Sequence, residues 1–242
     1  MQPVAVEFSE VTRSYGTQLA AHGVSFSVNL GESFALIGIN GAGKTTLLRC
    51  LLDYSRADAG TINVCGSPSS DARARAHLAW LPERFSPPYY LTGGDYLRYH
   101  GALRGVVLDE AAAATQLQAL DFDPRALSRP ARTYSKGMAQ KLGLAACLLA
   151  GRVLTVLDEP MSGLDPRARA LVREALAGLR REGRTLLFSS HALDDVGMLC
   201  DRLAVIHRGR VAFLGTPDAL VARYAESALE PAFLRCIEQA GA

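Results

Sequence analysis

Residues 38–45, Gly-Ile-Asn-Gly-Ala-Gly-Lys-Thr, constrain the fold more than any other stretch of this chain. They follow the apolar run "SFALI" and open into "TLLRCLL", an apolar segment at helical spacing that ends near Asp53. The spacing G-x-x-x-x-G-K-[ST] between a strand and a helix describes a loop whose glycines let the backbone curl around an anion. Its N–H groups and the positive end of the following helix then face phosphate oxygens. Asn40, Gly41, Ala42 and Gly43 form the cradle, and Lys44 adds a compact charge for the β- and γ-oxygens. Thr45 offers a hydroxyl to Mg²⁺, and Thr46 is expected to join residues 40–45 in binding the phosphates. Of 26 basic residues only three are lysine: Lys44, Lys136 and Lys141. A planar guanidinium does not fit such a cradle as a point charge. Lysine at position 44 of an arginine-rich chain therefore argues for a true phosphate loop.

A second signal is "VLTVLDEP", which puts Asp158 and Glu159 at the end of a buried-strand run. Ligands of α/β sheets bind outside the carboxyl ends of the strands. Asp158 is thus a candidate for the Mg²⁺ shell, and Glu159 for orienting and deprotonating an attacking water. A solvated acid pair capping a strand is the plainer alternative. No Asn-Lys-x-Asp string, which a guanine reader requires, occurs in the chain.

The remaining chain is consistent with one large α/β domain. "VAVEFSEV" and "GVSFSVNLGE" alternate as strands do, "AGTINVCG" is a further short strand, and "RTLLFSSH" is another buried run. "RLAVIHRGRVAFLG" predicts a hairpin turned at Arg208 and Gly209. Between residues 85 and 150 the texture changes to helical spacing broken by prolines, which predicts an inserted helical lobe. At 242 residues and 49% hydrophobic the chain can bury a full core. The formal charge of +2 comes from interspersed charges, so nucleic acid is not an expected partner. Five cysteines without C-x-x-C pairs suit core thiols in a reducing compartment. The start lacks a secretory pattern, and "LGLAACLLAG" is too short to cross a bilayer, so the expectation is a cytoplasmic protein that can dock on a membrane protein.

The order of "YSKGM", "LDEP", "SGLDP" and "LLFSSH" resembles the ATP-binding subunits of ABC transporters, almost end to end. That resemblance implies an α/β fold with a P-loop NTPase core and mainly parallel sheet, an N-terminal antiparallel β-subdomain and an inserted helical subdomain. The expected division is residues 1–84 and 151–215 as core, 85–150 as helical subdomain, and 216–242 as helical tail. It implies ATP and Mg²⁺ as ligands, with Glu159, His191 and Lys44 as the catalytic set and His191 against the γ-phosphate. Tyr15 in "RSYG" is placed to stack on adenine, although a tyrosine simply packed at a strand end is the alternative. Thr45, Glu83 and Asp158 match the metal positions. Ser135, Lys136, Gly137 and Asp165 match loops that the family presents in trans to the ATP of a second subunit, here a second copy of the chain.

Two departures mark a branch. Glu83 stands where many relatives carry glutamine, and Lys136 and Met138 replace a signature glycine and glutamine. "YSKGM" with "LPE" resembles ATPases that work with separate six-helix export permeases. The expectation is an ATP hydrolase peripheral to the cytoplasmic face of the membrane, docked on a permease near residues 85–99. That stretch holds four of the chain's eight tyrosines. The rivals are an importer ATPase and a soluble ABC-type ATPase acting on ribosomes or DNA. The other two lysines are five residues apart, about 140° around a helix, and cannot share a face. Lys141 is expected to be a solvated surface charge. Lys136, on the turn facing the partner, is expected either to offset Glu83 of the other subunit or to point to solvent.

Overall fold

In the computed structural model, residues 3–241 are described; residues 1, 2 and 242, at the outer ends of the expected core and tail, lie outside the described residues. The alternating N-terminal segments form a long antiparallel hairpin of β1 (Val4–Tyr15) and β2 (Gln18–Asn29). The chain then enters the core through β3 (Ser33–Ile37), the phosphate loop and α1 (Lys44–Leu51). It returns to the first sheet as β4 (Ala59–Val64) and β5 (Ser67–Pro68), and reaches the core edge through α2 (Ala72–Arg75) and β6 (Leu78–Leu81). The helical lobe holds α3 (Gly93–Ala102), α4 (Glu110–Ala119) and α5 (Lys136–Leu149), with two 3₁₀ turns before α5. Then β7 (Leu154–Asp158), α6 (Pro166–Arg181), β8 (Thr185–Ser190), α7 (Leu193–Leu199) and β9 (Arg202–His207) alternate. The hairpin strand β10 (Arg210–Gly215) and helices α8 (Pro217–Tyr224) and α9 (Leu229–Gly241) complete the order.

The second sheet runs β10-β9-β3-β8-β7-β6, parallel except for β10. Every residue of β3, β7 and β8 is buried, which is why these strands read as unbroken apolar runs and not as alternation. Their side chains still alternate between two cores. Ala35 and Ile37 pack on the side of the lobe and C-terminal helices, whereas Phe34 and Leu36 pack on the side of α1 and the first sheet. Phe8, Phe26 and Phe34 stack in series across that inter-sheet core, with centroids 4.4 and 5.3 Å apart.

The hairpin turn falls where expected, with Arg208 and Gly209 both at positive φ (47° and 74°), as a two-residue turn matching strand twist requires. The sequence reading lacks β6 and α2. Each has only four residues, too few for a period to register before Pro82 or the strand itself interrupts it. Pairing with β7 over residues 78–81 supplies what periodicity could not.

Candidate functional site: the carboxyl edge of the parallel sheet

Four parallel strands deliver their last residues to one edge. β3 hands over to the phosphate loop, where Gly41 and Gly43 take φ of 79° and 112°. A Cβ on Gly43 would strike the Ala20 carbonyl oxygen, so this residue type is required by space as well as by dihedral. Lys44, the first residue of α1, is buried at 6% exposure. Its ammonium donates to the Gly38 carbonyl at 2.6 Å and to that of Ile39 at 3.4 Å, and lies 3.6 Å from Glu159 Oε1. The first-turn N–H groups of α1 have no intrahelical acceptor and are available to an anion.

β7 ends on Asp158, which is 2% exposed and held at both oxygens: Thr45 Oγ1 donates to Oδ2 at 2.9 Å and Ser189 Oγ to Oδ1 at 2.5 Å. Ser189 in turn accepts the Glu159 N–H at 2.9 Å. Glu159 sits in the left-handed region at φ 48°, which costs a non-glycine residue about 1–2 kcal/mol. Its side chain is held by β8's exit: Oε2 lies 2.8 Å from His191 Nδ1 and accepts the His191 N–H at 3.3 Å. A carboxylate can only accept, so this contact requires a proton on Nδ1. Sequence reasoning assigned Glu159 and His191 separate tasks and did not find their pairing, nor Ser189. The only sequence signal for Ser189 is the polar end of an otherwise apolar strand, and the register Asp158↔Ser189 gives it meaning.

A cleft of about 460 Å³ runs along this edge. Its walls include Tyr15, all residues from Asn40 to Thr46, Glu83, Glu159 and His191, with Gln18, Ala20 and Ser162 as members the sequence reading missed. Asp158 lies behind Thr45, reached through the hydroxyl. Thr45, Asp158 and Glu83 offer only hard oxygen donors, and the cleft has more carboxylates than ammonium groups; this donor chemistry fits Mg²⁺. Tyr15 is 43% exposed, with its hydroxyl 3.2 Å from Ser55 Oγ and the Arg13 guanidinium 4.8 Å from its ring centre. Asp58 fixes that stack by binding Arg13 and the Ser14 N–H, each at 2.7 Å. Tyr15 is the last residue of β1 and leaves part of its ring open to the cleft.

Ser135, Lys136, Gly137 and Asp165 do not line the cleft. Ser135 caps α5 by accepting the Met138 N–H at 3.2 Å, and Asp165 caps α6 by accepting that of Ala168 at 2.9 Å. The Ala168 N–H also holds the Asp165 carboxyl below the usual carboxylate range. Lys136 is exposed and lies over Gly163; a Cβ at 163 would come within 2.8 Å of its ammonium. Lys141 differs from expectation. It is half-buried, and its ammonium donates at 3.0 Å to the carbonyl of Asp121, a residue held at φ 51°. It ties α5 to the turn after α4 and is not a freely solvated charge.

Residues 21–162 match the ABC transporter family. A "Nod factor export ATP-binding protein I" of Burkholderia orbicola is 38% identical over 229 residues, covering 91% of this chain and 74% of that protein. The chain belongs to the ABC transporter family. An ABC transporter ATP-binding protein of Synechocystis is 37% identical over 89% of this chain, which spans 64% of that relative's length. The solved "ATP binding subunit of ABC transporter" superposes with a TM-score of 0.87 at 29% identity, covering 96% of this chain and 99% of that one. As an ABC ATP-binding domain, this chain carries its phosphate loop, acid pair and post-β8 histidine on one sheet edge, while the turn at 135–137 and Asp165 stand apart from the cleft. No helix among the described residues is long and apolar enough to cross a membrane.

Proposed function

We propose that the chain is an ATPase subunit that closes on ATP as a homodimer and drives a membrane permease, in the direction of export. One observation carries the reading: Lys44, Thr45, Asp158, Glu159 and His191, spread over 148 positions, converge on one cleft wide enough for a nucleotide. The adenine stacks on Tyr15, and the phosphates lie in the loop with Lys44 between the β- and γ-oxygens. Thr45 and Asp158, with Glu83 nearby, would hold Mg²⁺, which supplies charge neutralisation for the β- and γ-phosphate oxygens. Glu159 accepts a proton from the attacking water as its oxygen bonds to the γ-phosphorus. The bond to the β–γ bridging oxygen breaks, and its electron pair stays on ADP. His191 lies against the Glu159 carboxylate through Nδ1, and its Nε2, when it carries a proton, can donate to a γ-phosphate oxygen. Ser135, Lys136, Gly137 and Asp165 serve the ATP of the second subunit, which fits their positions outside this chain's own cleft.

The division into core (1–84, 151–215), helical subdomain (85–150) and tail (216–242) is part of this reading. So is a site of action at the cytoplasmic face of the membrane, with no nucleic-acid partner. The name of the Burkholderia relative supports export.

Permease docking is supported by a groove of about 830 Å³ between core and lobe, lined by Phe85, Tyr96, His100 and Leu103 and by Arg49, Arg75, Arg104 and Arg152. Burial pushes His100 down to about 4, so its ring is neutral at pH 7 and the arginines set the charge of the groove. The aromatic stretch at 85–99 divides in two. Tyr96 is 9% exposed and packs on Phe85 at 5.5 Å, whereas Tyr89 and Tyr90 are each 69% exposed and meet edge to face at 5.4 Å. Tyr89→Glu with Tyr90→Glu is expected to lower the membrane-bound fraction about 10-fold or more, the loss of two aromatic anchors. The isolated subunit's ATPase rate should stay within about two-fold of wild type, as surface changes usually leave the fold intact. Undiminished recovery with solubilised membranes would reject this surface as the docking site.

Tyr15→Ala is expected to raise the KM for ATP about 10-fold, the scale of one lost base stack. Because stacking is equal in ground and transition states, kcat should barely move. A fall in kcat at constant KM would assign Tyr15 another role.

A further inference from the structure

Among the described residues, the least exposed acidic residue lies outside the cleft. Asp195, on α7, is 0% exposed, and both its oxygens are taken: Arg169 Nη2 donates to Oδ2 at 2.6 Å and Arg173 Nη1 to Oδ1 at 3.2 Å. The two arginines are one turn apart on α6, with side chains 37% and 30% exposed. A buried ion pair is weak evidence for stability, because apolar residues of similar volume often serve as well or better. What it does specify is geometry: two guanidinium donors on one helix fix the rotation and height of the carboxylate on the other.

The ends of that clamp make its location informative. Arg169 stands one turn beyond Asp165, whose side chain starts α6 at the end of the 162–165 loop. Asp195 stands four residues beyond His191, whose ring holds Glu159. α7 has only seven residues and no side-chain cap at its start, so its own hydrogen bonds do little to fix its N-terminal end. Between the loop and the histidine lies a cavity of about 100 Å³, bordered by Glu159, Ser162, Gly163, Arg169, His191 and Asp195. Met161 and Leu164 border that space from the core side, and the clamp adds a directional, charged tie between α6 and α7.

We propose that Asp195, gripped by Arg169 and Arg173, is a positioning residue that makes the 162–165 loop and His191 move as one body. A second subunit that engages the loop thereby sets the Glu159–His191 pair for water attack. The proposal rests on the reading that this loop faces a second ATPase subunit. It places Asp195 outside nucleotide binding: neither it nor its two arginines line the nucleotide cleft.

The test measures ATPase rate against subunit concentration, together with fluorescent-ATP affinity of the isolated subunit. Asp195→Asn keeps the shape and removes the charge that orients both guanidiniums. It should lower the plateau rate about 10-fold, within the range of coupling losses along a packed network, and leave ATP affinity within two-fold. Asp195→Asn combined with Arg169→Gln restores an amide pair without net charge change at the contact, and should recover part of the plateau. If Asp195→Asn does not fold, Arg169→Met at a half-exposed position carries the same expectation. A plateau within two-fold of wild type overturns the proposal, and so does a parallel fall of affinity and rate, the mark of a merely structural residue. A wild-type rate with no concentration dependence would instead count against the dimer reading, and is distinguishable because it requires no variant.

Discussion

Glu159→Gln is expected to cut ATP turnover about 100-fold or more, the scale of a lost general base, while ATP affinity stays near wild type. The amide retains the volume of the carboxylate and can still accept the His191 Nδ1–H, so the pair should stay in place. It cannot take a proton from water. The left-handed backbone at Glu159, held by Ser189 and His191, is equally accessible to glutamine. Binding without hydrolysis should let the ATP-bound dimer accumulate, visible as a shift in size-exclusion elution with ATP and Mg²⁺. Turnover within a few-fold of wild type would move the base to another group, of which Glu83 is the other carboxylate open to the cleft.

Lys44→Arg should be nearly as damaging as Lys44→Ala, with ATP affinity reduced about 10- to 100-fold in both, the value of a hydrogen-bonded charge. The reason is the fit of the side chain. Lys44 is buried at 6% exposure, with its ammonium already against the Gly38 carbonyl at 2.6 Å and near Glu159. A guanidinium is broader, planar and rigid, and the loop that would have to widen is pinned by Gly38 and Gly43 against the backbone at Ile206 and Ala20. Measured by equilibrium binding of a fluorescent ATP analogue, an arginine variant with near wild-type affinity would refute the steric argument. The chain's sparing use of lysine would then carry no meaning at position 44.

What the sequence determined by itself is local. The phosphate loop, the acid pair and the buried runs of β3, β7 and β8 were legible because each is a contiguous string whose chemistry or period is complete within a dozen residues. The family likeness was legible for the same reason, since it rests on short strings in a fixed order. The tertiary structure alone decided the rest. Glu159 and His191 are 32 positions apart and meet because β7 and β8 pair in parallel with Asp158 beside Ser189. The four residues of β6 become a strand only by pairing with β7. The tyrosines of residues 85–99 divide into core and surface according to where α3 lies on α5, which their spacing does not state. Lys136 against Gly163, Lys141 on the Asp121 carbonyl and Asp195 between two arginines are contacts between separate elements. No period or motif encodes such contacts, because they are set by the packing of whole helices on a sheet and not by the residues next to them in the chain.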